Sequence, residues 1–580
     1  MQRTTRLRPF YFLPGILCIV AMFMTACGGN SINTSTTKAP DNKQVLVSTT
    51  AGGGVSDIST YDPALAGDAF SGAAIAPVFT GLVTLDAQGN VQAQLANTWD
   101  VSPDHLTYTF HLKPNLKFSD GTPLTASDVA YSINRALAPA TQSQTAPYYL
   151  RYIKDATAFN TGKVKTLIGD SLIVTDPNTI EIKISQPISY FLDTLTSASA
   201  RVVEPSLIAK YGAQWTDHLN EGGGDGPFKV KQWVHNKEIV LVPNQYFEGP
   251  KPQLKEIIFP FYTSADATQS DYLAGKLDDA SVPLANYSTD SKRSDFYRYL
   301  SLAINYYTMN YNQKPFDNID IRQAFELAIN KQEIVAKIWK GTFLATNHIV
   351  PQGQPGYDPN LKGVDGTTSL TGNATLAKKL LQEGLKQEGW TSVKQMPQIN
   401  LTYSSAGVQA SKDEVAEMLQ DWHDVLGITV NSSDIDINLL FKDEGMGTKN
   451  PLQFYTGPAW AADYPDPEDW TTLQFDQGSA QNGMNYGQNH STDAAAQQAN
   501  QKLLEQADVE QNPTTRMADY NKAEQQLVND VAWFPMEQQY SFGLRKPCVQ
   551  GVVNSPFGTP PDAWHNIYIS TATCANATVS

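Results

Sequence analysis

Apolar and polar residues alternate through residues 106–114, where Tyr108, Phe110 and Leu112 are separated by Thr107, Thr109 and His111. A period of two sends successive side chains to opposite faces, so the segment predicts a strand with one buried face. The same rule predicts two hairpins, 172–184 turning at Asp176-Pro177-Asn178 and 228–242 turning near Asn236-Lys237. Further on the period becomes helical: Ile321, Ala324, Phe325, Ala328 and Ile329 recur at i, i+3, i+4, i+7 and i+8 in a segment that Gly341 stops. A second helix, 413–426, carries Val415, Met418, Leu419, Trp422 and Leu426 on one stripe and ends at Gly427. Ile399, Leu401 and Tyr403 alternate before it, and Ile428-Thr429-Val430 begins a strand after it, which makes a βαβ unit. The pattern therefore predicts an α/β body in two lobes, strand-rich in front and α/β from about residue 300 to 530, with no internal repeat.

Before this body, Arg3, Arg6 and Arg8 precede an apolar run of 15 residues, 10–24, broken by Pro14 and Gly15. A bilayer-spanning helix needs about 20 residues, so the run reads as a signal peptide. It ends in Met24-Thr25-Ala26-Cys27, which resembles a bacterial lipobox and implies cleavage after residue 26 and a lipid on Cys27. Residues 27–44 are polar and rich in Gly, Ser and Thr, and predict a flexible tether.

At 580 residues, 41% hydrophobic and 17% charged, the chain can bury large cores and holds about four domain-sized units at roughly 150 residues each. The net charge of −16, or −19 once the leader's three arginines are gone, excludes a general nucleic-acid binder, which needs a basic footprint. Of four cysteines, Cys18 leaves with the leader and Cys27 takes the lipid. Outside the cytoplasm Cys548 and Cys574 are then available as a disulfide, or as two buried thiols, and their spacing fits no metal site.

No G-x-S-x-G elbow, H-E-x-x-H helix or phosphate-binding G-x-x-x-x-G-K-[ST] loop occurs, and the 8 histidines are scattered singly. The segment from Asp434 to Asn438 has the opening spacing of a calcium loop but lacks its glycine and closing glutamate, and its alternation with isoleucine predicts a strand edge. The dense cluster is WAADYPDPEDW, 460–470: two tryptophans, a tyrosine and four acids in 11 residues. Pro465 and Pro467 forbid a regular helix there. The composition suits a cationic, partly apolar ligand or an acidic turn packed by its own aromatics; Asp463, between aromatic positions, is the expected desolvated acid, and Asp466, Glu468 and Asp469 are expected in solvent.

Five blocks in order resemble the extracytoplasmic solute-binding proteins of peptide-importing ABC transporters (bacterial family 5). They are 95–137, with its F-x-D-G-x-P-x-T-A-x-D-V pattern; GDGPFKVKQW, 224–233; 306–335, with Asn310, Pro315, Phe316, Arg322, Ala324 and Ala328; WAADYPDPEDW itself; and AEQQLVNDVAWFPMEQ, 523–538. The resemblance covers nearly the whole mature chain. It implies a periplasmic-binding-protein-like two-lobed clamp of type II with mixed sheets and flanking helices: lobe I from 45–303 plus 539–580, including an extra subdomain near 86–184, lobe II from 304–538, and two crossing strands as hinge. It further implies peptide capture by closure, with Asp463 as ligand of the amino terminus, Trp460 as a pocket wall and Ala461, Ala462 and Tyr464 as neighbours. No cofactor and no reaction are implied; the partners are a peptide, an ABC permease and, through Cys27, the outer face of the cytoplasmic membrane or the periplasm, with the protein a monomer. The alternatives are the same fold with another solute (oligosaccharide, nickel chelate, haem or opine) and, more distantly, a secreted hydrolase using a carboxylate pair.

Overall fold

The computed structural model describes residues 37–456 and 459–572. The alternating segment forms the strand Thr107–Leu112, with Tyr108, Phe110 and Leu112 buried and the residues between them half-exposed. It lies inside a four-stranded antiparallel sheet, in the order Ala96–Val101, Thr107–Leu112, Thr179–Lys183, Leu172–Asp176. The predicted hairpin turns at Asp176, whose carboxylate accepts the Asn178 N–H at 2.8 Å. The helix Ala126–Leu137, started by a Thr125–Asp128 capping box, lays Val129, Ile133 and Leu137 against this sheet's core.

The other predicted hairpin, Phe228–Val234 with Glu238–Pro243, belongs to a second four-stranded sheet completed by Glu256–Pro260 and, parallel to it, Val45–Val47. Its turn works because Asn236 tolerates a left-handed φ of 61°.

The third sheet is eight-stranded and built around two long antiparallel strands, Phe296–Met309 and Phe534–Arg545. Their register slips between Leu300 and Ile304 and again between Asn305 and Tyr306. The predicted βαβ unit adds to this sheet: Ile399–Tyr403 and Val430–Asp434 are parallel neighbours, joined by the helix Gln409–Leu426 that ends in left-handed Gly427. Val415, Met418, Trp422 and Leu426 of the predicted stripe are buried.

Three local expectations change. The helical pattern read as continuous to Gly341 is two helices, Ile319–Leu327 and Lys331–Lys337, because the Asn330 side chain accepts the Glu333 N–H and starts a new helix. The acidic run at 434–438 is not a strand edge throughout: Asp434 ends its strand by accepting the Ser405 N–H, and Asp436 caps the helix Ile437–Glu444. The predicted tether is not loose to its end, since the buried Gln44 amide donates to Ala39 O at 2.7 Å and Ile569 O at 2.8 Å and ties residues 37–44 to the body. Cys548 is buried and disulfide-bonded, which excludes the buried-thiol alternative for it. Its expected partner Cys574, like Cys27 and the leader, lies outside the described residues.

Candidate functional site

The WAADYPDPEDW segment begins as a short strand on the flank of the long one, with Trp460 opposite Ile304 and Ala461 opposite Ala303. Ala462 N–H continues the pairing onto Leu302 O at 2.8 Å. The segment thus joins the long strand where its register slips. Beyond Tyr464 the two prolines leave room for a single 3₁₀ turn, Pro467–Trp470, whose first N–H group is capped by Asp466.

The acids expected in solvent are not there: Asp466 is 5% exposed, and Glu468 and Asp469 are 0% exposed. Each has a partner from elsewhere in the chain or the loop. Arg516 grips Asp466 with two hydrogen bonds of 2.7 Å, Arg151 reaches Glu468 at 2.5 Å, and Asp469 accepts the Asp463 N–H at 3.0 Å. Both arginines are distant in sequence, so local composition could not show that these acids are paired and buried.

Asp463 is half-buried, and burial pushes its carboxyl up to about 7, against the opposing effect of a hydrogen bond from the Tyr149 hydroxyl. Next to it burial, and then the charge of Asp463, hold the Asp469 carboxyl well above the usual carboxylate range. Aromatic rings wall the pair: Tyr148 lies 6.2 Å from Trp460, and Tyr149 meets Tyr464 edge-on at 6.3 Å. Three polar atoms around the acids are buried with no hydrogen-bond partner in the protein: the Tyr148 hydroxyl, Trp460 Nε1 and Asp469 Oδ1. The Trp460 N–H lies beside Asp469 without completing a bond. A ligand that brings a positive charge and N–H donors for the acids and the Tyr148 hydroxyl, with an acceptor for the Trp460 N–H, would satisfy this set, whereas a neutral one would leave acids desolvated.

The structure brings together all five residues expected here: Trp460, Ala461, Ala462, Asp463 and Tyr464. It adds Asp469, which was expected in solvent, and the run Tyr148, Tyr149, Arg151 and Tyr152, which sequence reasoning passed over. Three tyrosines and an arginine within five residues were the available signal; nothing local said what they face.

Comparisons with known proteins bear on the family and the fold. The family model for bacterial extracellular solute-binding proteins, family 5 (middle), matches residues 90–482. The oligopeptide-binding protein OppA of Bacillus subtilis is 27% identical over 500 residues, covering 85% of this chain and 87% of its own. The periplasmic oligopeptide-binding protein OppA of Salmonella typhimurium is 29% identical over 509 residues, covering 85% and 86%. Among solved structures, the Escherichia coli murein tripeptide-binding protein MppA superposes with a TM-score of 0.73 at 25% identity, over 92% of this chain and 99% of its own. The expected periplasmic-binding-protein-like α/β fold is borne out, and these relatives are binding proteins rather than enzymes. No helix among the described residues is long and apolar enough to cross a membrane.

Proposed function

Because the chain belongs to the family 5 bacterial extracellular solute-binding proteins, we propose that it captures peptides outside the cytoplasm and delivers them to an ABC permease, holding the ligand's amino terminus on Asp463. The observation that carries this reading is the convergence of Asp463 and Asp469 with three unpartnered buried polar atoms, Tyr148 OH, Trp460 Nε1 and Asp469 Oδ1. An ammonium group supplies one positive charge and three donors. The names of the OppA relatives point to peptides, and a peptide brings that ammonium on every sequence.

Capture works by closure. Lobe I comprises 45–303 and 539–580, with the subdomain near 86–184, and lobe II comprises 304–538. The hinge is the pair of long strands, and both boundaries support it: Ile304 lies opposite Gln538, immediately after the register slip. A slipped register lets two strands twist against each other more freely than an unbroken ladder. Closing on the ligand removes the ammonium–carboxylate pair from water, and the closed monomer is the form presented to the permease. No chemical step and no cofactor enter this cycle.

The lipobox ending in Cys27 supports a lipid anchor. Cys27→Ser is expected to move the mature protein from the membrane fraction to the medium or periplasm, because each buried CH₂ of the acyl chains is worth about 0.8 kcal/mol of anchoring. Unchanged membrane retention would defeat the anchor without touching the binding site. For the ligand, calorimetry should compare the peptide that co-purifies, identified by native mass spectrometry, with its N-acetylated form. The free amine is expected to bind at least about tenfold more tightly, the ordinary scale for one partner of a buried charge pair. Equal affinity would remove the amine from Asp463.

A further inference from the structure

The tyrosine-rich segment that faces the candidate site comes from the 86–184 subdomain of lobe I, while the acids come from lobe II. Tyr464 is the point of greatest overlap. It is 2% exposed and belongs to the core otherwise formed by buried residues from Ala64 to Val202, the only buried member of that core from beyond residue 202 among the described residues. Its ring stacks on Tyr190 at 6.2 Å with 6° between planes, and its hydroxyl donates to Glu468.

Glu468 binds both lobes. Arg151 Nη2 reaches its Oε1 at 2.5 Å and also donates to the Tyr152 hydroxyl at 2.7 Å, while that hydroxyl lies 3.3 Å from the same Oε1. The carboxylate has no exposed surface, and the Arg151 side chain keeps 27% of its own. Around this pair the other polar links between the lobes are the Tyr149 hydroxyl beside Asp463, Gln511 Nε2 donating to Pro187 O at 2.7 Å, Ser189 N–H approaching Asp508 O at 3.4 Å, and Arg516 over the Tyr190 ring at 5.3 Å. Only the Arg151–Glu468 contact places opposite full charges on the two lobes within hydrogen-bond reach among these links. Glu468 is also the direct neighbour of Asp469, whose carboxylate holds the Asp463 backbone N–H.

Resting on the two-lobed reading above, we infer that Arg151 and Tyr464 form a closure latch for the candidate site, with Arg151 a positioning residue rather than a ligand contact. Opening the lobes pulls the Tyr464 ring out of the lobe I core and leaves Glu468 without its cation. Opening breaks a hydrogen-bonded charge pair held out of water and exposes the Tyr464 ring, so the latch resists opening. Because Glu468, Asp469 and Asp463 lie on one short loop, the same movement that sets the latch sets the acids around the ligand. The latch therefore governs release: it acts after the ligand has entered and slows its escape.

The test uses the mature chain with trialanine as probe, measuring association and dissociation by stopped-flow tryptophan fluorescence and closure by small-angle X-ray scattering. Arg151→Gln is expected to raise the dissociation rate at least about tenfold while changing association less than about threefold, the split seen when a buried charge partner rather than a rim charge is removed. It should also leave the trialanine-bound protein more extended than wild type. Arg151→Lys should restore part of the slow release. Tyr464→Phe, which keeps the ring in the lobe I core and removes only its bond to Glu468, should give a smaller rise. If Arg151→Gln does not fold, Glu468→Gln, which keeps the shape and the two tyrosine contacts, carries the test with the same rate split expected.

A wild-type dissociation rate in Arg151→Gln or Glu468→Gln, with wild-type contraction on trialanine, overturns the latch and leaves peptide capture standing. Equal losses in association and dissociation behaviour, with no rescue by lysine, also overturn it, since that pattern marks a general packing defect. A wild-type protein that neither binds trialanine nor contracts removes the capture reading and the latch with it.

Discussion

Two aspartates in this molecule are raised by burial in the same direction and have opposite surroundings. Asp225, in the Gly224-Asp225-Gly226 turn, and Asp463, in the Trp460–Trp470 loop, are both pushed up to about 7 chiefly by burial. Asp225 spends its carboxylate on one residue: Thr80 donates its N–H at 2.8 Å and its hydroxyl as well. The flanking glycines make that approach possible, for a Cβ on Gly224 would lie 2.3 Å from Val78 O and one on Gly226 would lie 2.6 Å from Pro77 O. Asp463 has the Tyr149 hydroxyl, a second acid beside it and polar atoms left over on three neighbours. A raised carboxyl is thus no marker of a binding site by itself. What separates the two is whether the surrounding donors and acceptors are already used up.

The sharpest way to break this comparison is to remove each carboxylate in turn. Asp463→Ala should leave the fold intact and weaken binding of free-amine peptides by about 2 to 5 kcal/mol, the cost of breaking a buried charge pair. Asp463→Asn, which keeps the volume, should lose most of the same amount, and N-acetylated peptides should lose little further. Calorimetry on the three proteins reads all of this. Full affinity in the alanine variant would make Asp463 a turn residue like Asp225.

Asp225→Ala should do the reverse. It leaves the buried Thr80 N–H without an acceptor, a loss of about 1 to 3 kcal/mol of stability, with peptide affinity unchanged. Chemical denaturation and calorimetry on the same sample distinguish the outcomes. A large affinity loss with unchanged stability would mean that the turn, not the loop, holds a ligand.

The contrast also explains how much was legible in the sequence. Periodicity located the strand at 107–112, both hairpins and the βαβ unit, because each follows from which residues face a core within one stretch of chain. It missed the helix break at Asn330, where one polar side chain outweighs an unbroken apolar stripe. At the site, Asp463 was legible as an acid between aromatics. Glu468 and Asp469 were misread as solvated because their partners and cover, Arg151 and the tyrosines of 148–152, come from more than 300 residues away. Composition reports what a segment contains; burial depends on what the fold brings to it.

The two aspartates should also respond to pH with opposite signs. A folded-state carboxyl near 7 against an ordinary value of 3.8 means that the native protein holds the proton more tightly. The stability this gives is fully present below about pH 4 and is lost as pH rises through about 7. Asp225→Asn should flatten that decline. If Asp463 pairs with the ligand's ammonium as proposed, affinity runs the other way, because the pair needs Asp463 ionised: below about pH 7 each unit should cost up to tenfold, and above about 8 the peptide's own amine loses its proton. Affinity should therefore peak between these limits, and Asp463→Asn should remove the acid limb. A flat affinity profile from pH 5 to 7 in the wild type would show that Asp463 does not pair with the ligand.

The smallest expected effect concerns Trp460, and it tests the leftover polar atoms themselves. Trp460→Phe keeps an aromatic wall against Tyr148 and deletes the Nε1–H, a buried donor with no completed bond in the protein, together with part of the indole's bulk. Relief of the unsatisfied donor offsets part of the packing lost with the smaller ring, so thermal stability should fall by less than the ring truncation alone would cost. If a ligand carbonyl or carboxylate accepts that N–H in the complex, affinity should fall by about 0.5 to 1.5 kcal/mol, the net worth of one hydrogen bond. A loss of affinity that exceeds the loss of stability would be the signature of an atom kept for a ligand. No equivalent change exists at Thr80, whose donors are already bonded to Asp225, so any loss there must appear first in stability. Equal affinity in wild type and Trp460→Phe would reduce Trp460 to a wall and leave the two acids and Tyr148 as the polar content of the site.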